Sequence, residues 1–186
     1  MNDYKEYVEQ LACSRENEVF FNSGPVHAAV VMSRIFKHSN DIVRIFSGGF
    51  NGDVSNDEEY LKYLEGFLKK PQSKIICIVE NDLTNTPSPS RIFNVLKKYP
   101  SKVEIYLTTI KVRYTSDISG INKFIHFTVG DKTMLRIETG INEYVAQVNF
   151  GDEPLAKKYI DLFDDILKTK NLKKLSLCST SSSIVN

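Results

Sequence analysis

Short apolar runs alternate with amphipathic stretches through the first part of the chain. Runs rich in β-branched residues predict buried strands, and apolar residues at helical spacing predict helices. Elements that alternate in this way are typical of a sheet covered on both faces by helices. The predicted strands are 18–21, 42–46, 74–79 and 103–107, and the predicted helices between them are 26–38, 57–70 and 91–99.

The pattern changes in the second part of the chain. The two alternating runs 123–129 and 134–138 flank Gly130-Asp131-Lys132, which predicts a β-hairpin. A strand over 144–150 and a helix over 155–168 follow. The predicted fold class is therefore α/β, with a mixed β-sheet flanked by helices on both faces.

The chain of 186 residues is long enough for one domain with a core and too short for two ordinary domains. Residues 1–17 are predicted to form an N-terminal helix or arm, and residues 18–170 are predicted to form the domain. The stretch 178–183 is low in bulky side chains, and residues 171–186 are predicted to form a disordered tail.

The net charge of +1 creates no overall field that would favour nucleic acid or an anionic membrane. No apolar run approaches the roughly 20 residues that span a bilayer. The cysteines Cys13, Cys77 and Cys178 are scattered and lack a CxxC spacing or a neighbouring His, which indicates free thiols in a reducing compartment. We expect a cytoplasmic protein without membrane contact, metal or cofactor.

A loop with two glycines follows the strand 42–46 and contains Ser47, Gly48, Gly49 and Asn51. Its backbone N–H groups and a following helix N-terminus would suit a phosphate group. The loop matches neither of the two common phosphate-loop patterns, so a flexible turn with positive φ at its glycines is the alternative. Its predicted place is the carboxyl end of the sheet, where ligands bind in open α/β folds.

A small basic cluster contains Lys111, Arg113 and Lys123 and lies beside Tyr114. Basic and aromatic side chains together favour the binding of single-stranded nucleic acid. The alternative is a solvated loop, because the chain as a whole is nearly neutral.

The element order, the stretch Ile125-His126-Phe127-Thr128-Val129-Gly130-Asp131 and the closing segment 144–156 together resemble one half of the phospholipase D superfamily. Members of that family carry an H-x-K-x4-D signature on a hairpin near the end of each half, followed by a strand and a closing helix. The resemblance covers residues 19–168.

In that family the His is the nucleophile that forms a phosphoenzyme, the Lys binds phosphate, and an acidic residue orients a His. Only His126 matches the signature. Thr128 takes the place of the Lys and Thr133 that of the Asp, with Asp131 two residues early and Glu138 as another carboxylate. Because the loss of the Lys removes a charge-assisted contact to phosphate, efficient catalysis is not expected.

Three functions follow from these observations. The first hypothesis is a non-catalytic phospholipase D-like domain that binds nucleic acid, a protein or a second copy of itself. The second is a divergent phosphodiesterase or nuclease that uses His126 with Asp131 or Glu138. The third is a sensor of a small phosphate ligand that uses the glycine loop.

The resemblance also implies a homodimer, because single-half members pair their motif faces around a twofold axis. We expect the face that carries His126, Thr128 and Arg136 to be open and to form that interface.

Overall fold

The computed structural model describes residues 1–50, 52–81, 91–115 and 122–177. The main sheet consists of β1 (Phe20–Asn22), β2 (Ile42–Ser47), β3 (Lys74–Val79), β4 (Val103–Thr108), β7 (His126–Gly130), β8 (Met134–Gly140), β9 (Val145–Asn149) and β10 (Leu172–Leu175), and β5 (Arg113–Thr115) and β6 (Asn122–Phe124) form a separate hairpin. The helices are α1 (Asn2–Ser14), α2 (Gly24–His38), α3 (Gly52–Ser55), α4 (Glu58–Lys69), α5 (Arg91–Leu96) and α6 (Glu153–Leu167).

The main sheet is mixed and has the strand order β1-β9-β8-β7-β2-β3-β4-β10. Strands β2, β3 and β4 are parallel, and β7 joins β2 in the antiparallel direction. Strands β8, β9 and β1 extend that antiparallel half, and β10 pairs antiparallel with β4 at the other edge. The predicted mixed sheet is confirmed.

Both faces of the sheet are covered, which explains why β3 is apolar at nearly every position. Ile75 and Cys77 belong to the core under α1, α2, α4 and α5, whereas Ile76 and Ile78 belong to the core under α6. A strand buried on both faces has a continuous apolar run instead of an alternating one. Helices on both faces were predicted and are confirmed.

Residues 2–14 and 172–175 are more ordered than their composition indicates. The N-terminal segment is a helix that buries Val8, Leu11 and Ala12, and Glu9 forms ion pairs with side chains of α2. The predicted disordered tail is wrong for Leu172–Leu175, because these residues pair with β4 as an edge strand. Its two lysines are exposed, as is common on a protected sheet edge. Residues 178–186 lie outside the described residues.

The predicted strand 123–129 is in fact two strands. β6 ends at Phe124 and β7 begins at His126, and the intervening Ile125 N–H donates to the Val112 carbonyl at 3.0 Å. The small hairpin therefore leads directly into the strand that carries His126. Within the described ranges, no helix has both the length and the apolar character needed to cross a membrane.

Candidate ligand-binding cleft

A cleft of about 640 Å³ opens beside the carboxyl end of β2, between the sheet and α2. This volume is within the range of roughly 300–1,000 Å³ that is common for small-molecule sites. The cleft contains the glycine loop and the polar end of the β7–β8 hairpin. Its polar lining residues include Ser47, Gly48, Gly49, Asn81, His126, Thr128, Arg136, Glu138 and Asn142.

The strand register explains why His126 reaches the glycine loop. Phe127 pairs with Phe46, so His126 lies beside the carboxyl end of β2, as predicted. A Cβ atom at Gly48 would lie 3.1 Å from His126 Cε1, so a larger residue there would crowd the imidazole. Gly49 adopts a φ of 153°, a conformation that side-chain-bearing residues rarely adopt.

The first residues of the glycine loop extend the pairing of β2 with the segment after β3. The Ser47 and Gly48 carbonyls accept hydrogen bonds from the N–H groups of Glu80 and Asn81 at 3.0 and 3.1 Å. The helix that follows, α3, has only four residues, and the longer α4 starts after its own N-cap, Asp57. The helix N-terminus that follows this loop is therefore that of α3, which is only one turn long. Asn51 lies outside the described residues.

The imidazole of His126 has a carboxylate on each side. Nδ1 lies 3.4 Å from a Glu138 carboxylate oxygen, and Nε2 lies 3.4 Å from a Glu80 carboxylate oxygen. The first contact follows from the register, because His126 and Glu138 are directly opposite each other on β7 and β8. Each ring nitrogen of His126 therefore faces an acidic group.

Arg136 stands where a cation would otherwise be missing. It is directly opposite Thr128 on β8, and Thr128 holds the position of the signature Lys. Its Nη2 donates to Glu138 Oε1 at 2.9 Å, and its Nε donates to Asn22 Oδ1 at 3.2 Å. Arg136 was predicted to lie on the motif face, and the register of the hairpin also predicts its position opposite Thr128.

The pKa of the Glu138 carboxyl lies below its usual value. Burial would raise this pKa, but the hydrogen bond from His126 and the charge of Arg136 outweigh burial. Glu138 is therefore ionised at neutral pH, and it forms a buried ion pair with Arg136.

Lys111 extends this row of contacts between polar side chains. Its Nζ lies 2.8 Å from the Glu80 carboxylate, so the order is Arg136, Glu138, His126, Glu80 and Lys111. Glu80 and Asn81 are two residues of this region that the sequence patterns did not single out. Both residues follow β3 directly. Because the carboxyl ends of parallel strands meet at one edge of the sheet, their place beside the glycine loop could have been predicted.

Asp131 is not the carboxylate that orients His126, so this part of the prediction is wrong. It lies in the turn at the other end of β7, where its carboxylate accepts hydrogen bonds from the N–H groups of Asn40, Asp41 and Ile42. Arg15 donates to it as well, at 3.3 Å. Asp131 therefore fixes the loop before β2, and Glu138 is the carboxylate of the hairpin that contacts His126.

The predicted open face is also not observed. His126, Thr128 and Arg136 are only 7%, 4% and 6% exposed. They line the inside of the cleft, and residues of α2 line its other side. An interface formed by these three side chains would require the cleft to open.

The other two residues of the predicted basic cluster, Arg113 and Lys123, lie on the β5–β6 hairpin. The guanidinium carbon of Arg113 lies 4.1 Å from the centre of the Phe124 ring, and Phe124 is 44% exposed. Lys123 is exposed on the same hairpin. Lys111 thus pairs with Glu80 behind His126, whereas Arg113 stacks on Phe124 and Lys123 precedes Phe124 on the hairpin.

In the ranges that the structure describes, no group of three or more His, Cys, Asp or Glu side chains is arranged to hold a metal ion. No protein-family profile matches the chain, and no curated protein sequence matches it.

Solved structures do resemble this chain. NucT from Helicobacter pylori superposes with a TM-score of 0.57 at 12% identity, over 85% of this chain and 99% of NucT. TrmBL2, an archaeal chromatin protein whose structure shows a novel mode of DNA binding, has a TM-score of 0.53 at 12% identity over 90% of this chain. Phosphatidylserine synthase from Haemophilus influenzae Rd KW20 has a TM-score of 0.50 at 11% identity over 85% of this chain. The chain spans 60% of the TrmBL2 chain and 39% of the synthase chain.

Proposed function

Because the chain has the phospholipase D-like fold, we propose that it is a non-catalytic binding domain that holds a small ligand in the cleft beside His126. The observation that carries this proposal is the pairing of the charged groups in the cleft. A His nucleophile needs a free ring nitrogen and a cation that can hold the phosphate. Here both nitrogens of His126 face carboxylates, and Arg136 is paired with Glu138.

The shape of the cleft supports binding. It is concave, largely apolar on the side of α2 and α3, and has a few polar groups at the sheet, which is the usual composition of a small-molecule site. It also lies at the carboxyl end of the parallel strands, where ligands bind in open α/β folds.

The absence of catalysis is tested with bis-p-nitrophenyl phosphate and with single- and double-stranded DNA and RNA. We expect the wild-type protein and His126→Ala to give the same background rate, because both ring nitrogens of His126 face carboxylates. A turnover that His126→Ala abolishes, or a phosphohistidine trapped at His126, would contradict the proposal and establish an enzyme.

Binding is tested by thermal shift with a library of nucleosides, nucleotides and other small metabolites. A ligand that binds only the folded state raises the melting temperature. We expect Gly48→Val to abolish this increase, because the new side chain would extend into the cleft from a point 3.1 Å from His126 Cε1. Gly66→Ala is the control, since Gly66 is exposed on α4 and has no atom within 4 Å of an added Cβ. An equal response of both variants would place the ligand elsewhere.

The β5–β6 hairpin supports a second candidate function, the binding of single-stranded nucleic acid. Arg113 stacks on an exposed Phe124, and the exposed Lys123 precedes Phe124 in β6, so the hairpin combines positive charge with an aromatic side chain. TrmBL2, which has a similar fold, is a DNA-binding chromatin protein. Loss of one stacking contact typically costs about 1–3 kcal/mol.

We therefore expect Phe124→Ala to weaken the binding of a fluorescent single-stranded DNA by about tenfold in anisotropy titrations. Lys157→Ala on α6 is the control, because it also removes an exposed side chain but lies outside the hairpin. Equal effects of the two changes would exclude the hairpin as the contact.

The homodimer stays a prediction. Its interface is to be sought on exposed side chains, because the residues of the motif face are buried. Phe21 on the edge strand β1 and Val145 on the adjacent β9 are exposed apolar candidates. Sedimentation equilibrium measures the association, and a monomer mass without concentration dependence would exclude it.

A further inference from the structure

The charges that line the cleft cancel. Arg136 and Glu138 are the two residues with permanent charges among the described lining residues, and they bond to each other at 2.9 Å. Their side chains are only 7% and 10% exposed, so water weakens their attraction little. Glu80 and Lys111, behind His126, are paired as well. Arg136, Glu138, Glu80 and Lys111 thus form two ion pairs whose charges cancel.

An anionic ligand would be disfavoured in such a site. A phosphate or carboxylate that approached Arg136 would also approach the Glu138 carboxylate, which is held ionised by His126 and Arg136. Two like charges close together in a buried site repel each other strongly, and only an unpaired cation would offset this repulsion.

The cleft still offers hydrogen-bonding groups although its charges cancel. Arg136 uses Nε and Nη2 for its bonds to Asn22 and Glu138, and Nη1 has no bond to any described residue. The Thr128 hydroxyl, directly opposite on β7, likewise has no hydrogen bond within the described ranges. Both residues line the cleft. These groups can hold a hydroxyl or carbonyl oxygen of a ligand.

The other side of the cleft is apolar. Phe50 is held in place by an edge-to-face contact with Phe93, with ring centres 5.5 Å apart. The apolar lining residues are Ala28, Met32, Ile45, Phe46, Phe50, Val54, Phe127 and Ile141. A ligand that fills this part of the cleft removes apolar surface from water, which favours a molecule with an apolar body.

We infer that the cleft selects an uncharged, amphipathic small molecule, with a hydroxyl or carbonyl group at Arg136 and Thr128 and an apolar body against Phe46 and Phe50. This inference rests on the proposed binding function and specifies its ligand class. It differs from the phosphate ligand that the family resemblance implies for this position.

The test compares matched ligands that differ in charge. Adenosine with adenosine 5′-monophosphate, and 2-phenylethanol with phenylacetate, are titrated into the wild-type protein by calorimetry. In each ligand pair that binds, we expect the uncharged member to bind at least about ten times more tightly than the anion. Tighter binding of the anions would overturn the charge inference and leave the binding function standing. No binding in these pairs or in the metabolite library would count against the proposed function itself.

Glu138→Gln identifies the source of the selectivity. The amide has almost the same shape as the carboxylate, but it leaves the charge of Arg136 unpaired. We expect this variant to prefer the anionic member of each pair and to bind inorganic phosphate. Asp161→Asn is the matched control, because it changes the net charge equally at an exposed position on α6 and should keep the wild-type order. A folded Glu138→Gln protein that keeps the wild-type order would overturn the inference. If this variant does not fold, the wild-type comparison decides alone.

Discussion

Gly151→Ala is expected to lower the free energy of unfolding by about 3 kcal/mol. An added Cβ would lie 2.2 Å from the Arg15 carbonyl oxygen and 2.7 Å from the Asn17 nitrogen. Both are backbone atoms, so no side-chain rotation can relieve the clash, and the connection between α1 and β1 would have to move.

The connection between α1 and β1 contacts the segment between β9 and α6. The Asn149 side chain accepts hydrogen bonds from the Gly151 and Asp152 N–H groups, and it donates to Asn17 Oδ1 at 2.8 Å. Movement of the connection would disturb this junction as well as the packing of α1. The effect of one added methyl group is therefore large.

Urea denaturation measures the effect, and Gly66→Ala is the matched control. Gly66 lies in α4 with no atom near an added Cβ, so alanine there is expected to stabilise the protein by about 0.5–1 kcal/mol. Opposite signs for the same chemical change would show that contact with the α1–β1 connection is the cause. Stabilisation by both changes would contradict the structure at this junction.

Much of the fold follows from local sequence patterns. The runs 42–46 and 74–79 are long enough for strands and rich in β-branched residues, and glycines or charged residues bound them. Leu172–Leu175 was missed because two leucines around two lysines carry no strong local signal. Its pairing with β4 depends on a contact between residues far apart in the chain.

The candidate site was predictable only in part. The topology brings His126 to the glycine loop, and the register of a hairpin brings Glu138 opposite His126. Asp131 was wrongly predicted to contact His126. The two residues lie at opposite ends of β7, and a strand extends about 3.3 Å per residue. The contact of His126 with Glu80 depends on side-chain positions that a single sequence does not define.

The buried pair Arg136–Glu138 should be the most sensitive point of the cleft. We expect Arg136→Met to lower the free energy of unfolding by about 3–5 kcal/mol, because it leaves the Glu138 charge buried without its cation. The double variant Arg136→Met with Glu138→Met removes both charges and is expected to cost less than the single change. Lys157→Met breaks an exposed pair and should cost less than about 0.5 kcal/mol.

The pH dependence separates this electrostatic cause from a loss of packing. In the wild-type protein the pKa of Glu138 lies below its ordinary value of 4.5, so its contribution to stability is present above that value and is lost as the pH falls through the lower folded pKa. Without Arg136, burial acts on Glu138 with less opposition and raises its folded pKa. Protonation then relieves the buried charge, so the stability difference between the two proteins should shrink on acidification. Urea denaturation at neutral and mildly acidic pH measures this difference, and a difference that stays constant would assign the loss to packing around Arg136 alone.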